Sequence, residues 1–440
     1  MKYKLIKLNP SQLLILVFIV FITLGTLLLK LPFATTTSVS WLDALFTATS
    51  AMTVTGLVVV DTAQAYTLFG EIVIVSLIQI GGLGIMSFAV LIFMMLGKKI
   101  GLKERLLVQQ ALNQTSIGGV IKLIKNLFVF SLSIELIAMV FLAIKWVPEY
   151  GWSQGLYFSF FHSISAFNNA GFALWPDSLM KYVGDPIINI FVTFLFIIGG
   201  IGFTVLSDLW NKKKFQKLSL HSKMMIVGTF IINIVAMLLI FVLEYSNSKT
   251  LGGLPSLGDK VWGAYFQALT TRTAGFNTLD IGSLDEATIF LFLLLMFIGA
   301  GSASTGGGIK LTTFMVIIFA VLTFLKGKKD IVMRNRSINL EVVIRALAIS
   351  TIGLVFIIIA VFILNISEDA PFLEILFEVI SAFGTVGLSM GLTGSLTFIG
   401  KIVIIFIMFI GKLGPLTLAF SLAQPEKAKI KYPTEDILTG

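Results

Sequence analysis

Apolar residues run along this chain in stretches of about 20, the length a helix needs to cross a bilayer. Polar and charged residues collect between them. The first member of each pair of stretches covers roughly 12–31, 126–147, 225–245 and 342–364, and the second roughly 68–96, 186–208, 287–325 and 398–420. Within each pair lies a shorter apolar stretch, about 12 residues long, which cannot span and suits a re-entrant helix. These shorter stretches begin near Trp41, Gly155, Trp262 and Phe372. The run Leu13–Leu29 follows Lys2, Lys4 and Lys7 and so resembles a signal peptide. The many later spans and the lack of a small-residue cleavage site favour a retained helix. Eight spans and four re-entrant helices are therefore expected.

The pattern repeats four times. Ser50-Ala-Met-Thr-Val-Thr-Gly56-Leu57, Ser165-Ala-Phe-Asn-Asn-Ala-Gly171-Phe172, Leu269-Thr-Thr-Arg-Thr-Ala-Gly275-Phe276 and Ser381-Ala-Phe-Gly-Thr-Val-Gly387-Leu388 occupy the same place in each unit, with glycines 115, 104 and 112 residues apart. An aromatic stands ten residues before each: Phe46, Phe161, Tyr265 and Phe377. A second small-residue cluster follows: Ile80-Gly-Gly-Leu-Gly84, Ile198-Gly-Gly-Ile-Gly202, Ile298-Gly-Ala-Gly-Ser302 and Ile410-Gly-Lys-Leu-Gly414. The units divide as 10–98, 120–210, 222–327 and 341–424, leaving 425–440 as a tail.

Charge assigns the sides. Lys98, Lys99, Lys103, Arg105, Lys122 and Lys125 fill one linker, Lys212, Lys213, Lys214, Lys217 and Lys223 a second, and Lys326, Lys328, Lys329, Arg334, Arg336 and Arg345 a third. The positive-inside rule makes these linkers and both lysine-bearing termini cytoplasmic. The opposite segments are mildly acidic, as ordinary solvated loops are, and such a face also concentrates cations. The net charge of +9 is thus a matter of sidedness, and nucleic acid is not an expected partner. There is no Cys, which excludes disulfides and thiolate metal sites, and the two His are far apart.

Non-helical backbone at membrane depth must be buried in protein or line a water-filled cavity. Four equivalent turns around a pseudo-fourfold axis can jointly line one pore, with backbone carbonyls replacing the water around a dehydrated cation. Glycine supplies positive φ and keeps Cβ off the ion. The short helix before each turn points its negative end at the cation. A single Gly of this kind would be read as a packing residue; four in one local frame point to a filter. The fold class is therefore all-α integral membrane, four pseudo-repeats of helix, re-entrant pore loop and helix around a central pore.

With these motifs the chain resembles the Trk/Ktr/HKT superfamily of potassium transporters, most of all the membrane subunit of bacterial Ktr-type systems. The phrase Thr271-Arg-Thr-Ala-Gly-Phe-Asn277 carries most of the likeness, which extends from about residue 10 to 424. The resemblance implies a filter of Thr53, Val54, Thr55 and Gly56; Asn168, Asn169, Ala170 and Gly171; Arg272, Thr273, Ala274 and Gly275; and Gly384, Thr385, Val386 and Gly387, holding K+ as cargo and no cofactor. Members with Ser at the first position tend to pass sodium; Gly56 speaks for potassium. A homodimer and a cytoplasmic nucleotide-binding ring subunit are implied partners, together with membrane lipid.

The stretch 287–325 is about twice a spanning length, and its middle reads Gly299-Ala-Gly-Ser-Ala-Ser-Thr-Gly-Gly-Gly-Ile-Lys310. Five Gly and three hydroxyls in twelve residues cannot hold a helix. The expectation is an intramembrane gating loop, 299–310, built on Gly299, Gly301, Ser302, Ser304, Thr305, Gly306, Gly307 and Gly308. Lys412 sits mid-span in the fourth cluster, where a cation is costly and functional by default. It is read as a fixed charge on the loop that limits cation flow, with structural ion pairing as the alternative. Arg272 and Glu378 are candidates to pair behind the filter. His162 is expected to be a packing residue. Gln79 lines the pore or joins helices; the sequence does not decide. No nucleophile–base set supports a hydrolase, and no Walker loop supports an ATPase. An alternating-access carrier coupled to sodium or protons is the rival within transport.

Overall fold

A computed structural model describes residues 10–84, 120–328, 330–333, 336–422, 433 and 435. The first basic linker from Lys98 to Arg105, the segment 85–98, and nearly all of the tail 425–440 lie outside the described residues.

Each repeat opens on an outer helix: Pro10–Leu29, the first arm of Val120–Phe167, Leu220–Glu244 and Leu340–Ser367. The helix Val120–Phe167 runs on because the second outer helix passes straight into its pore helix. The joint is Gly151, at φ 82° and ψ 168°, three residues after Pro148. Only glycine enters that backbone region easily, so the kink makes two helices of one. The outward faces are apolar and open: Val140 is 63% and Phe362 67% exposed, which suits lipid and not water.

The pore helices are Trp41–Thr53, the arm 152–167, Leu257–Thr270 and Phe372–Gly384. Two start on serine caps: Ser40 accepts from the Asp43 amide at 3.1 Å and Ser256 from the Asp259 amide at 3.0 Å. Their recurring aromatics are the anchors. Phe46, Phe161 and Phe377 are fully buried, and the Tyr265 hydroxyl meets the Thr193 hydroxyl at 2.9 Å.

The inner helices depart from expectation. One broken span was expected, in the third repeat; the second and fourth break too. Phe398–Leu413 stops at Gly414, with Pro415–Leu422 after it, and Pro186–Ile201 turns through 94° into Phe203–Lys212 at Gly202. Leu68–Leu83 stops at Gly84, beyond which the chain is outside the described residues. The three glycines sit at φ 87°, 105° and 86°. Hydropathy continues through them, so an apolarity pattern reads across a backbone break. Among the described residues four helices are long and apolar enough to span, five if the bent pair Pro186–Ile201 and Phe203–Lys212 is one span, and the other expected spans appear as the shorter segments beside these breaks. The third inner helix is Glu286–Phe297 and Leu311–Leu325 around the expected loop. A short antiparallel hairpin, Ile331–Met333 with Arg336–Ile338, interrupts the all-helical pattern in the third basic linker.

Each inner helix packs on the pore helix of the next repeat, first on second, second on third, third on fourth, and fourth back on first, which closes the ring. Within a repeat, the small-residue cluster lets the inner helix cross its own pore helix closely. A Cβ on Gly81, Gly199 or Gly411 would strike the carbonyl of Met52, Phe167 or Phe383, each four residues before its repeat's glycine. In the third repeat Gly299 meets the Gly307 carbonyl instead, because the loop takes that slot.

Candidate functional site

The four turns share one backbone shape. Val54, Asn169, Thr273 and Thr385 have φ of 58°, 59°, 67° and 49°, and Gly56, Gly171, Gly275 and Gly387 have φ of 92°, 68°, 79° and 92°. Positive φ at the glycines was expected; the same conformation two residues earlier was not. At non-glycine residues it is held by surroundings. The amides of Thr55, Ala170 and Val386 bond the carbonyls of Ser50, Ser165 and Ser381 at 2.8 Å, and the Ala274 amide bonds Thr270 at 3.0 Å. Hydroxyls complete the clamp: Ser50 and Ser381 accept from the Gly56 and Gly387 amides at 3.1 Å. Ser165 donates to the Phe172 carbonyl at 2.8 Å and Thr270 to the Phe276 carbonyl at 2.5 Å. These four hydroxyl residues were not singled out from sequence, although a Ser six positions before the glycine recurs in three repeats.

The glycines meet in chain order around one axis. A Cβ on Gly56 would strike the Ala170 carbonyl, one on Gly275 the Val386 carbonyl, and one on Gly387 the Thr55 carbonyl. On Gly171 it would lie 3.0 Å from the Ala274 carbonyl oxygen and 2.8 Å from the Gly275 Cα. Four main-chain carbonyls, those of Thr55, Ala170, Ala274 and Val386, thus gather where four Cβ atoms are missing.

The segment 298–310 is stitched beneath them. The Gly299 and Gly301 amides bond the Ile309 and Gly200 carbonyls at 2.8 Å, and the Thr305 and Gly308 amides bond the Gly199 and Gly411 carbonyls at 3.2 Å. Side chains tie it to the turns: the Thr305 hydroxyl donates to Asn169 Oδ1 at 2.9 Å, and Thr385 Oγ1 accepts from the Gly307 amide at 2.8 Å. Among the described residues Lys412 pairs with no carboxylate; its Nζ donates to the Thr305 carbonyl at 2.5 Å. A second lysine, which sequence reasoning left aside, does the same: Lys310 Nζ donates to the carbonyls of Gly306 at 2.6 Å and Gly307 at 3.3 Å. Ser302 and Ser304 contact Thr312 and the Gly301 carbonyl.

A family model described as a TrkH cation transport protein matches residues 2–432. The chain belongs to the TrkH family. Among curated relatives, "Ktr system potassium uptake protein B" of Bacillus subtilis is 60% identical over 437 residues, covering 99% of this chain and 98% of that protein. "Potassium/sodium uptake protein NtpJ" of Enterococcus hirae is 38% identical over 443 residues, covering 99% and 98%. The crystal structure of the potassium transporter TrkH from Vibrio parahaemolyticus superposes with a TM-score of 0.76 at 22% identity, over 96% of this chain and 86% of that one, and establishes the fold. A family of cation transport proteins leaves no role for enzymatic chemistry in this chain.

Elsewhere in this TrkH-family chain, Glu378 does not pair with Arg272. Its carboxylate accepts from Thr393 at 2.5 Å and Ser389 at 2.8 Å, while the buried Arg272 Nε has no hydrogen-bond partner among the described residues. His162 is a satisfied packing residue: Nδ1 meets the Phe158 carbonyl at 2.8 Å, Nε2 accepts from the Leu174 amide at 3.3 Å, and the ring stacks on Trp175 at 4.4 Å. Gln79 joins helices. It donates to the buried Glu135, a residue sequence reasoning passed over, and accepts from Asn168.

Proposed function

We propose that this chain takes up potassium across the plasma membrane through a filter formed by residues 53–56, 168–171, 272–275 and 384–387. The observation that carries the reading is the closed ring of four glycines and four carbonyls, repeated with the same pair of left-handed residues in every turn. Such carbonyls offer a dehydrated cation the oxygens it leaves behind in water. The loop 299–310, with Lys412 and Lys310 bonded to its carbonyls, is the gate beneath. Uptake follows the membrane potential, worth about 2.3 kcal/mol per charge per 100 mV. The B. subtilis relative is named as one component of a Ktr system, which supports a partner subunit: a homodimer of this chain on a cytoplasmic nucleotide-binding ring, docked by basic linkers and tail, with both termini cytoplasmic.

Purified protein in potassium-free vesicles tests the reading. Rubidium or potassium should enter down an imposed potential, with sodium uptake well below it. No flux, or equal sodium and potassium flux, overturns it. The E. hirae relative is named for potassium and sodium, so sodium is the competitor to measure. Slow, saturable uptake strictly coupled to a second ion would instead identify a carrier.

A further inference from the structure

The filter turn of the second repeat is tied to a carboxyl group inside the membrane. Glu135 lies midway along the second outer helix, among apolar neighbours, and is only 3% exposed. Its two oxygens accept from one donor, Gln79 Nε2, at 3.1 Å each. Gln79 belongs to the first inner helix. Its own Oε1 accepts from Asn168 Nδ2 at 2.6 Å, and Asn168, fully buried, is the first residue of the second filter segment. The chain thus runs from an outer helix, through the inner helix of the preceding repeat, to the filter. No salt bridge among the described residues involves Glu135, and its hydrogen-bond donor is Gln79.

A carboxyl group at mid-membrane is costly, and packing alone would be served better by an apolar residue. The other repeats show as much. Ile197, Phe297 and Phe409 occupy the place of Gln79, one residue before each small-residue cluster. The polar chain is therefore a local addition to the fold and not a requirement of it. Asn168 Nδ2 also donates to the Ile164 carbonyl at 2.9 Å, so fixing that amide group fixes the end of the pore helix where the turn begins. Left-handed Asn169 and Gly171 follow immediately.

We propose that Glu135 is a positioning residue for ion selectivity: through Gln79 it holds Asn168, and so sets the aim of the second turn's carbonyls. This rests on the filter reading above. A buried hydrogen bond, lost at one end, shifts the equilibrium between a set and a slack turn about tenfold. Glu135→Ala and Gln79→Leu should each lower potassium-over-sodium preference by about that factor while potassium still flows. The double variant should be no worse than either single one, because all three break the same chain. Glu135→Gln, which still accepts from Gln79, should retain most of the preference.

Vesicle flux of potassium and sodium, with thermal melting as the folding control, decides. If Glu135→Ala does not fold, Gln79→Leu carries the test, since its helix accepts apolar residues at that place in the other repeats. Unchanged selectivity in a folded Gln79→Leu variant, or additive losses in the double variant, overturns the proposal. Absence of potassium uptake by the unmodified chain in the same vesicles would defeat the filter reading instead.

Discussion

Two lysine side chains end beneath the four turns, and neither pairs with a carboxylate among the described residues. Lys412 donates to the carbonyl of Thr305, Lys310 to those of Gly306 and Gly307. An ammonium group at mid-membrane costs about 2.5–3.5 kcal/mol on insertion scales. Loop carbonyls offset part of that, and a helix would have used those carbonyls internally, so unwinding of 298–310 is what makes a place for the charges. Like charges about 10 Å apart at an effective dielectric near 20 repel by about 1.7 kcal/mol. If the loop is the gate proposed above, a cation passing it would meet a barrier worth on the order of tenfold in rate. Lys412→Gln should raise basal potassium flux in vesicles by about that much, and Lys310→Gln should act in the same direction. Flux unchanged in both, with normal melting, would remove the lysines from gating. Lys412 was legible in the sequence because it interrupts an apolar run. Lys310 was not, because it stands at the edge of a polar loop, where a lysine is ordinary.

Among the elements, the recurrence of the units was readable from spacing alone, and the outer and pore helices begin within six residues of expectation. The breaks at Gly202 and Gly414 were not readable, since apolar residues continue on both sides. Nor did the sequence say why each inner helix carries small residues. Their reason is a close crossing: a Cβ on Gly411 would lie 2.9 Å from the Phe383 carbonyl carbon and collide with its oxygen. Gly411→Ala should cost about 1–3 kcal/mol through overpacking, seen as a lower melting temperature in detergent. An unchanged melting temperature would mean that the crossing gives way. The loop is bonded to inner helices on both sides and to the side chains of Asn169 and Thr385, but not to the glycine ring itself. Deleting three or four residues between Ala300 and Gly307 should therefore increase flux and keep potassium preferred. A deletion that folds but leaves flux low, or that abolishes preference, would place the gate elsewhere.

On the scale of the molecule, the ring is closed by contacts between the last repeat and the first. Lys401 of the fourth inner helix pairs with Asp43 of the first pore helix at 2.7 Å. Burial pushes the Asp43 carboxyl up, but bonds from Lys401 and Ser40 and the Lys401 charge outweigh it, so Asp43 titrates below its ordinary range. A depressed folded-state pKa stabilises above the unfolded value and is lost as pH falls through the folded one. Melting temperature should drop on acidification below about pH 4, and Asp43→Asn should reduce that drop; an identical acid limb in the variant would deny the pair a part in closure. The glycine ring offers the sharper test, because its members are equivalent in shape but unequal in room. Serine at Gly56, Gly275 or Gly387 would drive Cβ into the next repeat's carbonyl oxygen, whereas at Gly171 the nearest oxygen is 3.0 Å away. Every position also has positive φ, which a side chain tolerates poorly. Each substitution should turn or displace the adjoining carbonyl, and potassium, which depends on several carbonyls at once, should lose more than sodium. Potassium-over-sodium preference in vesicles should thus fall in all four serine variants, least in Gly171→Ser. The sequence, which offers four identical glycines, gives no basis for that order; only the ring does. Equal preference in Gly56→Ser and the unmodified chain would take Gly56 out of the filter, and a largest loss at Gly171 would mean that the carbonyls, not the spaces between them, are arranged differently around the axis.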